Sequence, residues 1–300
     1  NLELAASIGT DLSCEAYKKT IYQPYSFHIK KNSSDVISTI ITETRETTWS
    51  INNFLQIFTS LIIFVSIFIS GLIFNWKIIF LLVFFIGLSY LIVFQINRKQ
   101  LSKNSKIISE NTRLQLRSLQ EGLGSIKDIL INNNQEFFVK KYFSVDKKLR
   151  ISQVRGLYIG EYPKYILESV GILLLAIIAF YISSGDKSNS IAIPTLGTIA
   201  LGSQRLLPIF QTIYRSWAAI ENNSVAIYKV LSMIKKNKPE FYHNKKNINF
   251  KFNKTLKVNH LYFSYGNDKN YILKDISFDI NKGDKVGIIG ETGSGKSTLI

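Results

Sequence analysis

The sequence predicts an α-helical polytopic membrane domain followed by the N-terminal part of an α/β domain built around a phosphate-binding loop. Three observations carry that class. Phe54–Phe74 contains fifteen Leu, Ile, Phe or Val, Ile78–Ile96 contains fifteen more, and neither run holds a charge. Residues 98–164 then carry fourteen Lys or Arg against six Asp or Glu. Close to the C-terminal end, Gly290-Glu291-Thr292-Gly293-Ser294-Gly295-Lys296-Ser297-Thr298 has the spacing of a phosphate loop.

Composition narrows the classes before any element is placed. A hydrophobic content of 46% is high for a soluble chain with 37 Lys and Arg, so the apolar residues must be concentrated. The net charge of +16 would also suit a nucleic-acid binder, so its location has to decide. The single Cys14 excludes an internal disulfide and a thiolate metal site, and is expected to be buried or inert. His28, His243 and His260 are too scattered for a local metal motif. The first residue is Asn1, no signal-peptide pattern follows it, and the last falls one turn into a helix, so both ends read as cut from a longer protein.

Residues 1–53 read as two helical arms joined by an irregular piece at Gln23-Pro24-Tyr25, with Ser33-Ser34-Asp35 opening a helix over Val36 to Asn53. Thr47 to Trp76 is free of charge. The fifteen apolar residues of 54–74 favour insertion by roughly 5 to 9 kcal/mol before polar residues are subtracted, which makes the segment a membrane helix. Asn75-Trp76-Lys77 is then a tight turn, and 78–96 is long enough to return across a ~30 Å hydrocarbon layer. The basic stretch divides into arms of about 98–131 and 135–164 around Asn132-Asn133-Asn134, each roughly 45–50 Å long at the helical rise. Tyr165–Ile182 is a third span with one acid, Glu168. Ile191–Tyr214 is a fourth, with Pro194, Pro208 and Arg205, whose cost of about 2.5–3.5 kcal/mol implies a cavity or a helix partner such as Glu168.

Charge sets the orientation. Both ends of 98–164 are rich in Lys and Arg while the two short turns carry one Lys each, which places 98–164 and residues 215–300 in the cytoplasm. A nucleotide site needs that side. The basic excess is thereby explained without nucleic acid.

Glu221–Lys236 continues as helix, and Lys235–Lys254, with Pro239, reads as a linker, so the domains fall at 1–236, 237–254 and 255–300. Thr255–Tyr265 and Tyr271–Ile280 alternate like strands around a turn at Gly266–Asn270, and a second turn follows at Asn281-Lys282-Gly283-Asp284. Val286-Gly287-Ile288-Ile289 is expected to be a strand feeding the loop, with Ser297–Ile300 opening a helix. In that setting the glycines aim successive N–H groups at phosphate, Lys296 reaches the β/γ-phosphates, and the Ser297 hydroxyl ligates Mg²⁺.

This order of pieces resembles an ATP-binding cassette exporter over the whole chain. Leu261-Tyr262-Phe263-Ser264-Tyr265, then Ile272-Leu273-Lys274-Asp275-Ile276-Ser277-Phe278 and the loop Gly290–Thr298, carry the resemblance most specifically. It implies that Tyr265 stacks on adenine, that residues 290–298 hold ATP with Mg²⁺, and that Lys296 is catalytic. It also implies a half-transporter acting as a homo- or heterodimer in a bacterial inner membrane, its four spans being helices three to six of six. Coupling helices would lie near Pro24–Ile29 and Asn132–Phe137, with Asn134, Gln135, Glu136 and Phe137 as contacts. Residues 121–128 and 162–168 look like members that flip lipid-linked sugars or export polysaccharide precursors. No Walker B carboxylate, signature motif, Q-loop or switch histidine is present, so the chain as it stands is not expected to hydrolyse ATP. A membrane-anchored P-loop protein using nucleotide as a switch is the alternative reading.

Overall fold

The structure is a computed structural model that describes residues 1–183, 189–235, 252, 254–265 and 271–300. It separates into two units, one of Asn1–Gln23 with Lys31–Asn237 and the other of Pro24–Lys30 with Lys238–Ile300. Most of the expected linker, and the turns at 184–188 and 266–270, lie outside the described residues.

The described residues of the first unit are almost all helical. Helix α1 runs Leu2–Ile21 and α3 runs Ser33–Ile37, opened by Asn32, whose side chain accepts from the Ser34 N–H at 3.0 Å. The cap lies one residue before the expected Ser33. A π-helical turn, Ser38–Glu43, then interrupts the helix expected over 36–53, and buries Ser38, Thr39 and Glu43 together. Nothing in the local sequence signals that interruption.

Helix α4, Thr44–Gly124, contains both apolar runs. It cannot be one rod, because Ser109 Oγ donates to Glu43 Oε1 at 2.8 Å although 66 residues of straight helix would separate them by roughly 100 Å. The ion pair of Arg113 with Asp35, at 3.7 Å, repeats the same antiparallel register. Both pairs place the reversal near residue 75. Asn75–Lys77 is therefore where the chain turns back, but helical hydrogen bonding continues through it, where the sequence suggested a separate turn. Within α4 and the elements before it, Ser33–Ser70 is long enough to cross a membrane and contains an 18-residue stretch with a mean hydropathy of 2.0. Its outer face exposes Phe54, Phe58, Ile62 and Ile69, the surface of a helix whose solvent is lipid.

Helices α5 (Ile126–Ile131) and α6 (Gln135–Ser183) meet at a turn where Asn133 has φ 53°. Helix α7 runs Asn189–Asn222 and α8 Ser224–Ile234. Tyr90, Leu101, Ile159, Tyr214 and Ala218 form the core where α4, α6 and α7 meet. Asn97 ties the three together, its Nδ2 donating to Tyr162 Oη at 2.7 Å and Tyr214 Oη at 2.9 Å. Gly9 and Gly156 allow close helix approach, since a Cβ would stand 2.3 Å from Thr48 Oγ1 and 2.5 Å from Asn222 Nδ2.

Two residues bear on alternatives the sequence leaves open. Cys14 is exposed, because α1 turns that face outward. Arg205 is also exposed, and among the described residues it makes no ion pair with Glu168.

In the second unit, β1 (Thr255–Phe263) and β2 (Leu273–Asn281) form an antiparallel hairpin with Val258 opposite Phe278 and Leu261 opposite Ile276. Bulges on either side of Leu261 shift the register, and His260 and Asp275, at φ 47° and 51°, face each other there through a Nδ1–Oδ1 contact. The turn after β2 closes through Asn281 N–H donating to Asp284 Oδ2 at 2.7 Å, with Gly283 at φ 101°. Pro24–Lys30, containing the short helix α2 (Tyr25–Lys30), groups with this unit.

Candidate nucleotide site

The segment 285–290 that leads from this hairpin into the glycine-rich loop forms no regular secondary structure, which corrects the strand expected at Val286–Ile289. A strand needs a neighbour to satisfy its N–H and C=O groups, and none of the described residues supplies one. Ile289 is 98% exposed in consequence. The loop itself is shaped by three glycines. Gly293 and Gly295 lie at φ +90° and +88°, a region that a side chain disfavours. A Cβ on Gly290 would meet Ser294 Oγ at 2.7 Å, and one on Gly295 would meet Leu273 Cδ2 at 3.1 Å.

Lys296 opens the short helix α9 (Lys296–Leu299), whose first turn is closed by Thr298 and Leu299 N–H groups donating to Gly295 O at 3.0 Å. The Lys296 ammonium folds back over the loop and donates to the carbonyls of Gly290 and Glu291 at 2.6 and 2.5 Å. One mobile cation is thus held at the centre of a ring of backbone. Ser297, the expected Mg²⁺ ligand, is exposed, as are Glu291, Thr292 and Ser294.

Tyr265 closes the other side, its Oη donating to Thr298 Oγ1 at 3.3 Å. Its ring packs edge-on against Phe263, with centroids 5.1 Å apart, and lies 6.4 Å from the Tyr25 ring of α2. The residues picked from the sequence for base and phosphate therefore converge on one face, and Tyr25 joins them without any motif of its own. This donor set fits a nucleotide with its metal: backbone N–H groups and Lys296 for phosphates, the Ser297 hydroxyl for Mg²⁺, and a tyrosine face for a purine.

The four expected coupling residues lie elsewhere, in the first unit. Asn134 is in the α5–α6 turn, and Gln135, Glu136 and Phe137 start α6, all exposed. Glu136 pairs with Lys140 at 2.8 Å, and the Phe137 ring stands edge-on to Phe138 at 5.4 Å. Just behind this tip the two arms are clipped by Glu121, which accepts from Lys141 Nζ at 2.7 Å and Arg117 Nε at 2.8 Å. Those two hydrogen bonds hold its carboxyl below its ordinary pKa.

Comparison with known proteins places this arrangement. The chain is 27% identical to the multidrug resistance-like ATP-binding protein MdlA of Buchnera aphidicola over 98% of its own length and 51% of that protein's. It is 28% identical, over 60% of itself and 26% of the relative, to a lacticin-481/lactococcin-DR transport/processing ATP-binding protein of Lactococcus lactis. It thus spans about half, or less, of the length of the curated relatives it matches. The structure of a bacterial Atm1-family ABC exporter with ATP bound shares the fold, with a TM-score of 0.75 at 13% identity over 99% of this chain and 52% of that one. Residues 273–300 match the ABC transporter family model. Residues 3–207 match the model of the ABC transporter transmembrane region, and the chain belongs to that family.

Proposed function

We propose that the chain is part of a half-transporter that exports a substrate across a membrane at the expense of ATP. The observation that carries this is the joining of a helical membrane-region fold to a glycine loop that holds Lys296 at its mouth and Tyr265 against Thr298. Bound Mg-ATP would supply the phosphoryl group whose transfer to water drives the cycle. The loop glycines would keep Cβ atoms away from the phosphates, Lys296 would exchange its carbonyl partners for phosphate oxygens, and Ser297 would orient the metal. Tyr265, fixed by Phe263 and Thr298, would hold the base.

The same reading has the chain cross the membrane four times, with 98–164 and 215–300 in the cytoplasm, and work as a dimer of half-transporters. Catalysis would need residues beyond the ones this chain carries. The cargo is a separate matter. The relatives' names refer to multidrug resistance and to lacticin-481 and lactococcin-DR, and a lipid-linked glycan rests on the resemblance of residues 121–128 and 162–168 alone.

The test uses the full-length protein in proteoliposomes. Lys296→Ala should abolish ATP hydrolysis, a loss of at least roughly a hundredfold for a charge acting on the transferring group. Near-normal hydrolysis would refute the role given to Lys296. Nucleotide binding without turnover in the unaltered protein would favour the regulatory-switch reading instead.

A further inference from the structure

Away from the glycine loop, in the helical unit, α3, the π-helical turn, α4 and α8 enclose a cavity of about 390 Å³. Its wall carries Lys31, Lys106, Arg113 and Lys229 against Asp35 and Glu110. The acids do not neutralise it evenly. Lys229 is engaged by the buried Glu43 at 2.7 Å, while Arg113 reaches Asp35 only at 3.7 Å, longer than a charge-assisted hydrogen bond. Lys106 makes no ion pair among the described residues.

A second feature points into the same space. Ser38, at the start of the π-helical turn, lines the cavity, is 1% exposed, and its hydroxyl has no hydrogen-bond partner among the described residues. Buried hydroxyls are rarely left so, and π-helical turns concentrate at functional sites. The turn is what brings Ser38 and Thr39 to the wall while Glu43 is tucked beneath it.

We infer that this cavity binds a small phosphate-bearing anion, with Lys106 and Arg113 supplying charge and Ser38 a hydroxyl donor. An ammonium point charge together with a guanidinium and a hydroxyl suits a tetrahedral oxyanion better than a planar carboxylate, which a single guanidinium fork would satisfy. The volume leaves room for an organic group beyond the phosphate. A lipid headgroup is the wrong source. Lys106 and Arg113 lie ten and seventeen residues beyond Ile96, the end of the charge-free run, or about 15 and 25 Å along the helix, outside a headgroup layer of roughly 5–8 Å. The anion is therefore soluble, and by joining Lys106 and Arg113 to Ser38 it ties α4 to the π-helical turn.

Glycerol 3-phosphate is the probe, with glycerol as control, on full-length protein in nanodiscs of neutral lipid. A Lys296→Ala background keeps the glycine loop out of the response. Saturable binding by calorimetry is expected, weakened roughly tenfold by Lys106→Gln or Arg113→Gln, as loss of one charge-assisted contact implies. Ser38→Ala gives the sharper signature: it removes no existing hydrogen bond, so the ligand-free unfolding temperature should hold or rise while affinity falls. Absence of saturable binding overturns the assignment. So does an affinity unchanged in Lys106→Gln and Ser38→Ala, or binding that requires anionic lipid in the disc.

Discussion

Glu43 and Lys229 stand 186 residues apart and share an ion pair at 2.7 Å in which the carboxylate is 2% exposed and the ammonium 35%. The pair locks the π-helical turn to α8, and its two ends are unequal. Lys229→Met would strand a buried carboxylate with only the Ser109 hydroxyl for company, at a cost of about 3 kcal/mol. Glu43→Gln would leave Lys229 able to reach water and keep an oxygen for Ser109, so about 1 kcal/mol is expected. Unfolding of the solubilised full-length protein, followed by helicity, measures both. Equal losses would contradict the asymmetry.

That pair also marks where reading the sequence stops. The charge-free runs of 54–74 and 78–96 and the loop of 290–298 are legible because each is a local pattern, an apolar length or a glycine spacing, that physics interprets without a partner. Glu43, Ser109 and Lys229 are brought together by a helical reversal and by a helix at the far end of the unit, and no local spacing encodes that. The exposure of Cys14 is not legible for a related reason: which face of α1 turns outward depends on helices remote in sequence. Val286–Ile289 shows the opposite error, since its apolar composition favours a strand but pairing needs neighbours the described residues do not contain.

The Glu121 clip should make the two arms sensitive to acid. Its carboxyl is held below its ordinary pKa by Lys141 and Arg117, so the clip contributes in full above the unfolded value and is lost as pH falls through the lower, folded one. Spin labels on Leu119 and Phe143, introduced as cysteines with Cys14→Ser, should report a wider spacing on the acid side of the carboxylate range. Glu121→Gln should show that wide spacing at neutral pH and no further acid response. An acid response that survives in Glu121→Gln would assign it to another group.

Arg205 offers a test of the fourth span proposed above. It is exposed, and no acid among the described residues pairs with it, so a charge worth about 2.5–3.5 kcal/mol against lipid needs water around it. A cysteine at position 205, in the Cys14→Ser background, should react with a membrane-impermeant thiol reagent in at least one nucleotide state. Failure to react in every state would place the guanidinium against protein or lipid instead.

Phe137 lies at the tip of arms that the helical rise makes roughly 45 Å long, and 64% of it is exposed. An aromatic ring left in water at the end of a lever, beside the polar Gln135 and Glu136, has the composition of a contact anchor with a wet rim. Its own surroundings do not hold it, for the ring touches Phe138 edge-on and little else of the core, so truncating it should cost the fold under about 1 kcal/mol. Phe137→Ala in the full-length transporter should therefore leave nucleotide binding and unfolding temperature near their original values. Transport should fall severalfold, and ATP hydrolysis should no longer respond to substrate. Cysteines at positions 134 to 137 should crosslink to a nucleotide-binding domain, the partner subunit's in the dimer proposed above. If crosslinking fails at all four and transport is unchanged in Phe137→Ala, the α5–α6 turn is a solvated loop and the coupling of nucleotide to membrane must run through another segment, of which Pro24–Lys30, grouped with the glycine-loop unit, is the first to examine.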